Sequence, residues 1–228
     1  MTRYAIYFVP SPQAQLWRFG CEALGYDSVQ GEAVPFHGHD FYQHAEIEEW
    51  TASPRRYGFH ATLKPPFVLT EGKSVRGLEY AAADFCASRK AFTVSRLDVV
   101  AIGSFLALVP DVPSQKLNTL AADCVTVFEP WRAPLSKTDR ARRLQCPLTD
   151  NQMAHLDTWG YPYVFDEFRF HMTLTGRLPG AVQGEALAAL RALYAPIAKP
   201  VDINGIAICE QSARDARFIV RQLFMFSG

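Results

Sequence analysis

Short β-rich runs alternate with longer segments of helical periodicity along the chain. Residues 4–9 form a β-rich run, which predicts a strand that the following proline ends. The next segment predicts a helix from Ser11 to about Leu24, and a glycine follows as its end. Residues 26–55 are polar and rich in glycine and histidine, so they predict little regular structure beyond a short helix near 41–50.

The remaining chain repeats one order of elements: a strand, a turn, an alanine-rich helix and two further strands. The predicted strands are 57–63, 92–102, 105–109, 168–174, 201–210 and 217–226. The predicted helices are 74–88, 114–128, 150–159 and 183–194, and a basic stretch at 131–148 is irregular or helical. This repetition indicates an internal duplication that gives two β-α-β-β lobes related by a pseudo-twofold axis.

From this order we predict one α/β (α+β) domain over residues 1–228. The domain is expected to be bilobed, with two pseudo-symmetric lobes whose antiparallel-rich sheets face a central groove. The two strands that carry the repeated sequence are expected near 57–64 and 168–177.

The repeated sequence is Phe-His-x-Thr-Leu, which occurs at residues 59–63 and again at residues 170–174. Alternate residues of a strand point to the same face, so each copy places an imidazole beside a hydroxyl. His60 pairs in this way with Thr62, and His171 pairs with Thr173. Two such strands at one groove would gather two histidines and two hydroxyl donors around a single point.

The polar faces extend beyond the two pentapeptides. Lys64 falls on the predicted face of His60, and the predicted face of His171 also holds Arg169, Thr175 and Arg177. Tyr57 lies just before the first motif, where an aromatic ring could stack on a base or sugar or could simply pack between the lobes. Polar residues that line a cleft are costly unless a ligand uses them.

These residue types suit the cleavage of a phosphodiester. That reaction removes one proton from the attacking oxygen and supplies another to the leaving oxygen, and histidine does both near neutral pH. Thr62 and Thr173 could donate hydrogen bonds to the non-bridging phosphate oxygens, while Lys64 or Arg177 could offset their charge. The scheme needs no metal ion and no other cofactor.

Charge and composition limit the classes of partner that this chain is expected to bind. The chain has 23 Lys and Arg residues and 23 Asp and Glu residues, so its formal net charge is zero. This balance argues against non-specific binding of long nucleic acid. Five cysteines without a Cys-x-x-Cys spacing predict reduced thiols in a cytoplasmic protein. No apolar run reaches membrane-spanning length, so no membrane association is expected. The oligomeric state is left open.

A cluster of histidines at positions 37, 39 and 44 raises the question of a metal site. The cluster lies in a polar stretch, and no cysteine or carboxylate group elsewhere in the sequence completes it. We therefore predict surface histidines there and no bound metal.

The two His-x-Thr-Leu elements, at this separation and in this order of elements, resemble those of the two-histidine phosphoesterase superfamily. The longer segments 55–67 and 160–178 are similar to one branch whose genes often accompany phosphonate-utilisation operons. The resemblance covers essentially the whole chain. It implies a bilobed α/β fold, His60 and His171 as metal-independent acid and base, and Thr62 and Thr173 as phosphate ligands.

We therefore expect a phosphodiesterase that opens a small cyclic phosphodiester on a nucleotide or sugar. One alternative is an enzyme that processes RNA ends at 2′,3′-cyclic or 2′–5′ linkages, which would bind RNA in a salt-dependent manner. A second alternative is a phosphate-ligand binding protein, which would bind tightly and form no product. The sequence leaves open which histidine is the base and whether the basic stretch 132–143 is a solvated face or a lid for an anionic substrate.

Overall fold

The computed structural model describes all 228 residues and contains seven α-helices and eleven strands. The helices are α1 (Gln15–Leu24), α2 (Ile47–Arg55), α3 (Val75–Ala87), α4 (Gln115–Val127), α5 (Lys137–Arg143), α6 (Asp150–Trp159) and α7 (Gly180–Tyr194). The strands are β1 (Arg3–Phe8), β2 (Tyr26–Asp27), β3 (Glu32–Ala33), β4 (Ala61–Phe67), β5 (Phe92–Val94), β6 (Leu97–Ile102), β7 (Phe105–Pro110), β8 (Met172–Thr173), β9 (Val201–Ile203), β10 (Gly205–Gln211) and β11 (Ile219–Met225). None of the helices has the length and apolar character needed to cross a bilayer.

Polar caps explain where several helices begin and end. The hydroxyl of Ser74 accepts a hydrogen bond from the Gly77 amide at the start of α3. Thr149 forms a capping box with Gln152 at the start of α6. That helix ends at Gly160, whose φ of 73° lies in the left-handed region that glycine adopts without strain. These boundaries agree with the helices predicted near 74–88 and 150–159.

The main sheet has seven strands in the order β11-β10-β1-β4-β8-β7-β6, and every neighbouring pair is antiparallel. The two motif strands, β4 and β8, are direct neighbours at its centre, joined through the pair Ala61 and Met172. The predicted fold class, a mixed α/β fold with antiparallel-rich sheets, is confirmed. The two halves form one continuous sheet, whereas the expectation was two sheets across a groove.

The strands that follow each motif cross to the other motif. β6 and β7 follow the first motif in the chain but lie beside β8, whereas β10 and β11 follow the second motif and lie on the side of β4. β5 and β9, which occupy equivalent positions after α3 and α7, pair with each other. The predicted order of strand, helix and strands is therefore present in both halves, and the exchange joins the halves into one structure.

The apolar face of both motifs is buried as predicted. Its six residues are Phe59, Ala61, Leu63, Phe170, Met172 and Leu174, and all belong to one cluster of 50 buried residues. Gly20 on α1 leaves room for the Phe59 ring, since a Cβ atom there would lie only 2.0 Å from that ring. This packing fixes the strands whose opposite face carries the histidines.

The first motif strand lies further along the chain than predicted and is irregular. It was expected over residues 57–63, but β4 begins at Ala61 and continues through Pro65 and Pro66 to Phe67, so His60 directly precedes it. β8 covers only two residues, so this part of β4 lies beyond its pairing with β8, where prolines cost no ladder hydrogen bond on that side. The register with β1 also shifts around Leu63, which marks a β-bulge.

Candidate active site

A cleft of about 350 Å³ opens where β4 and β8 meet, and its size is in the range of small-molecule sites. The residues that line it are Arg3, Tyr7, Ser53, Pro54, Tyr57, Gly58, His60, Thr62, Pro65, Pro66, Phe105, Arg143, Tyr161, His171, Thr173, Thr175, Gly176 and Arg177. The structure therefore brings the histidine and threonine of both motifs to one space.

The strand register sets how the four motif side chains face each other. Ala61 pairs with Met172 in an antiparallel ladder. If this register is extended by one residue in each direction, His60 lies opposite Thr173 and Thr62 lies opposite His171. Residues directly opposite have Cβ atoms about 5 Å apart, and diagonal residues are about 7–8 Å apart. The two histidines lie on a diagonal, which leaves room for one phosphate group between their rings.

Both imidazoles are oriented by the same local contact. Nδ1 of His60 lies 2.9 Å from the Gly58 carbonyl oxygen, and Nδ1 of His171 lies 2.9 Å from the Arg169 carbonyl oxygen. A carbonyl can only accept, so in each neutral ring Nδ1 carries the hydrogen and Nε2 keeps its lone pair. Nε2 of His60 lies 3.1 Å from the Thr62 hydroxyl.

His60 is held in an apolar setting. Its ring stacks on the buried ring of Tyr7, with centroids 3.7 Å apart and planes 22° apart. Burial lowers the pKa of His60 from 6.5 to about 4; the Gly58 carbonyl opposes this shift, and the neighbouring His171 adds to it. His60 is therefore neutral near pH 7.

Glycine is required before the first motif. Gly58 has a φ of 74°, and a Cβ atom there would lie 2.5 Å from the Ser28 hydroxyl oxygen. This backbone conformation directs the Gly58 carbonyl to the His60 ring.

Residues 62–219 match a family described as protein of unknown function, DUF1045. The chain belongs to the DUF1045 family. Two curated relatives are both named ribose 1,5-bisphosphate phosphokinase PhnN. The protein from Janthinobacterium sp. (strain Marseille) is 36% identical over 233 residues, covering 100% of this chain and 51% of its own length. The protein from Laribacter hongkongensis (strain HLHK9) is 30% identical over 221 residues, covering 95% and 50% respectively. The DUF1045 chain thus spans about half the length of these relatives.

Solved structures with similarity to the DUF1045 chain include a phosphoesterase, E. coli LigT complexed with NADP+, and the protein TT0787 of Thermus thermophilus. The phosphoesterase has a TM-score of 0.45 and 11% identity, covering 100% of this chain and 99% of its own. LigT has a TM-score of 0.44 and 11% identity, with the same coverage. TT0787 has a TM-score of 0.48 and 14% identity, covering 99% and 98%. Similarities this distant leave the chemistry to be argued from the cleft itself.

Lys64 of the DUF1045 chain does not lie where strand alternation places it. Its side chain is only 1% exposed, and Nζ donates to Glu129 Oε2 and to the Val125 carbonyl oxygen, both at 2.8 Å. The bulge at Leu63 breaks the alternation, so Lys64 turns toward α4 and is not among the residues that line the cleft. The expected phosphate-binding role of Lys64 is corrected to a structural ion pair.

Of the other residues predicted to bind substrate, some line the cleft and others have structural roles beside it. Arg177 is exposed at the cleft, and Tyr57 lines it with its ring centroid 6.3 Å from that of His60. Thr175 is buried, and its hydroxyl accepts from the Leu106 amide and donates to a neighbouring carbonyl, so it joins β7 to the end of β8. The side chain of Arg169 is exposed and does not line the cleft, although its carbonyl orients His171.

Several residues that line the cleft were not predicted from the sequence, and three of them lie close to the motif side chains. Tyr7 and Arg3 come from β1, where residues four apart share a face, and this alternation was the signal that could have placed them together. Phe105 lines the cleft from the start of β7, with its ring centroid 6.1 Å from that of His171. Only the order of the strands in the sheet shows that Tyr7, Arg3 and Phe105 lie close to the two motifs.

The histidines at positions 37, 39 and 44 are not all on the surface. The side chain of His37 is 9% exposed, and its ring contacts the Phe19 carbonyl oxygen and Glu22. The prediction of a surface histidine is therefore wrong for His37, because α1 covers its ring. No group of three or more His, Cys, Asp or Glu side chains is arranged to hold a metal ion.

The lowered pKa of His60 predicts a pH-dependent stability. In the unfolded chain its pKa returns to 6.5, against about 4 in the folded protein, so between these pH values the unfolded state binds more protons. The free energy of unfolding should therefore fall by about 3 kcal/mol as pH decreases from 7 to 4 through this residue alone. Urea denaturation of wild type and of His60→Gln across this range measures it. Parallel pH dependences in the two proteins would contradict the lowered pKa of His60.

Proposed function

We propose that this chain hydrolyses a small cyclic phosphodiester without a metal ion, with His60 as general base and His171 as general acid. The observation that carries the proposal is the matched orientation of the two rings. Both Nδ1 atoms are held on backbone carbonyls, so the two Nε2 atoms are left for a ligand in one cleft. Such a pair suits a reaction that takes one proton and gives another.

The environment of the rings favours His60 as the base. A general base must be neutral before the reaction, and the pKa of His60 is lowered to about 4. A bound phosphate anion between the rings would raise that pKa and make Nε2 a better proton acceptor. The ring of His171 hydrogen-bonds to the protein through Nδ1, so Nε2 has no protein partner and can donate to a ligand when it carries a proton.

The reaction then proceeds by attack of water on phosphorus. Nε2 of His60 accepts a proton from the water as the new P–O bond forms. The P–O bond to the sugar oxygen on the opposite side breaks, and that oxygen takes the proton from Nε2 of His171. The product is a phosphomonoester with a free hydroxyl, and exchange of protons with solvent restores both histidines.

The remaining groups stabilise the charge on phosphate. The hydroxyl of Thr62 rests on Nε2 of His60 and can turn to a non-bridging oxygen when substrate binds. Thr173 lies opposite His60 and supplies a second hydroxyl, by extension of the register. Arg177, exposed at the cleft with no carboxylate partner, offsets the negative charge. Donors aimed at the developing charge contribute most where water is excluded.

The size of the cleft and the names of the relatives support a small phosphorylated substrate. A volume of about 350 Å³ accommodates a nucleotide or sugar phosphate and not a folded polymer. The two curated relatives carry a name that includes ribose 1,5-bisphosphate, and this chain corresponds to half of each. We therefore favour a cyclic ribose phosphate or cyclic nucleotide in the cytoplasm, in line with the phosphonate context that the motif resemblance implies.

Hydrolysis of a substrate panel tests the proposal. Purified protein in EDTA is incubated with nucleoside 2′,3′-cyclic phosphates and with ribose cyclic phosphates, and phosphorus NMR follows the opening of the ring. We expect a single phosphomonoester product from at least one substrate class. A requirement for added metal would contradict the mechanism. Tight binding without product would instead indicate a ligand-binding protein, and salt-dependent RNA binding would indicate an RNA-end enzyme.

A further inference from the structure

A second cavity of about 680 Å³ adjoins the active-site cleft. The two spaces share five lining residues, namely Arg3, Tyr57, Pro65, Pro66 and Arg143. The diproline of β4 forms a common wall, with the arginines at the junction. A ligand held between His60 and His171 can therefore extend into the second cavity.

The second cavity is strongly cationic. Its charged lining residues are Asp139, Lys64, which is paired with Glu129, and six arginines, namely Arg3, Arg56, Arg132, Arg142, Arg143 and Arg214. Asp139 accepts from both Arg214 and Arg142, and Arg132 is paired with Glu129. This leaves three guanidinium groups, those of Arg3, Arg56 and Arg143, without a carboxylate partner.

Two of these guanidinium groups are held at the junction with the active-site cleft. Arg143, at the end of α5, is half-buried, and its Cζ lies 4.7 Å from the centroid of the Tyr161 ring. Nε and Nη2 of Arg3 both donate to Gln211 Oε1, which leaves Nη1 without a protein acceptor. Burial lowers the pKa of Arg3, and the nearby Arg214 adds to that shift. A bound anion would relieve this unfavourable arrangement of like charges.

Helix α5 is anchored so that it closes one side of the second cavity. Arg140 on α5 pairs with Asp157 on α6 at 2.9 Å. Asp139 on the same helix pairs with Arg214, which lies in the turn between β10 and β11. The helix therefore uses some of its charges as tethers to its neighbours, while Arg143 faces the cleft.

We propose that Arg3 and Arg143 bind a second phosphate group of the substrate, so that the preferred substrate carries a phosphomonoester in addition to its cyclic diester. The proposal rests on the function proposed above and narrows its substrate class to phosphorylated cyclic sugar phosphates and nucleotides. A guanidinium group binds phosphate through its N–H donors, and the whole guanidinium group of Arg143 together with Nη1 of Arg3 supplies such donors from two sides of one junction. The basic stretch 132–143 thereby has a role in substrate selection.

A matched pair of substrates tests the second phosphate site. The ratio of kcat/KM for a nucleoside 2′,3′-cyclic phosphate with a 5′-phosphate to that for the same compound without it should be about 10- to 100-fold in wild type. Arg143→Gln and, separately, Arg3→Gln should each lower this ratio by about tenfold or more, mainly through KM. Lys137→Gln removes one positive charge from the same helix at an exposed residue that lines neither cavity, and it should leave the ratio unchanged.

Binding measured by calorimetry separates this proposal from the proposed chemistry. Adenosine 3′,5′-bisphosphate should bind wild type at least tenfold more tightly than 3′-AMP, and Arg143→Gln should remove most of the difference. Turnover of both cyclic substrates with a ratio near one would overturn the second phosphate site and leave the hydrolase intact. Arg143-dependent preference in binding without any turnover would support the site and overturn the hydrolase. Equal binding of the two ligands without turnover would overturn both.

Discussion

Glutamine in place of His60 or His171 is expected to lower kcat for a cyclic phosphodiester about 10²- to 10⁴-fold. Glutamine keeps roughly the size and polarity of the ring but cannot transfer a proton near neutral pH. Because the two histidines act in one step, the double variant should be scarcely slower than the worse single variant. Steady-state hydrolysis in EDTA at pH 7 measures all three proteins.

His155→Gln serves as the matched control for these substitutions. His155 lies on α6, where its Nε2 contacts Asp166 at 2.8 Å, and it does not line the cleft. Its variant should retain activity within about twofold of wild type, since its imidazole does not reach the substrate. Full activity in either His60→Gln or His171→Gln would refute the assignment of that residue.

Glu129→Gln is expected to lower the free energy of unfolding by about 3 kcal/mol. Its carboxylate is the only anionic partner of Lys64 Nζ, and that side chain is 1% exposed. An ammonium group left in that setting without its counter-ion is costly. Urea denaturation at pH 7 measures the loss.

Two further variants separate the ion pair from any role in catalysis. In the double variant Lys64→Met with Glu129→Gln, the buried ammonium group is gone, so the part of the loss that Lys64 causes should return, while the part due to Arg132, which also pairs with Glu129, should remain. Lys64→Met alone should still hydrolyse substrate, since Lys64 does not line the cleft between the histidines and its Nζ is held by Glu129 and the Val125 carbonyl oxygen. If Lys64→Met abolished turnover and Glu129→Gln were as stable as wild type, Lys64 would instead serve the phosphate, as strand alternation had suggested.

Strand alternation predicted the motif well because the burial of one face is encoded locally. Phe59, Ala61 and Leu63 are buried, while His60 and Thr62 line the cleft. The same alternation assigned Lys64 to the wrong face of β4. One inserted residue in a strand ladder turns the side chains that follow it to the opposite face of the sheet. A bulge depends on the partner strand, so a single segment does not reveal it.

The pairing of the strands could not be predicted from the sequence. The duplicated order of elements predicted two lobes, and it gave no sign that β10 and β11 cross to the first motif and β6 and β7 to the second. The contributions of Tyr7 and Arg3 depend on the position of β1 next to β4, which is a long-range pairing. The catalytic residues could therefore be predicted from the motifs, whereas the other residues that line the cleft could be identified only from the three-dimensional structure.

A crystal structure with vanadate and a nucleoside bound tests the central claim most directly, because vanadate adopts the five-coordinate geometry of phosphorus under attack. We expect vanadium between the two rings, with Nε2 of His60 and Nε2 of His171 each about 2.6–3.2 Å from an oxygen on opposite sides of it. The hydroxyl groups of Thr62 and Thr173 should contact the equatorial oxygens. Vanadate bound away from the rings, or contacted by only one of them, would contradict the account.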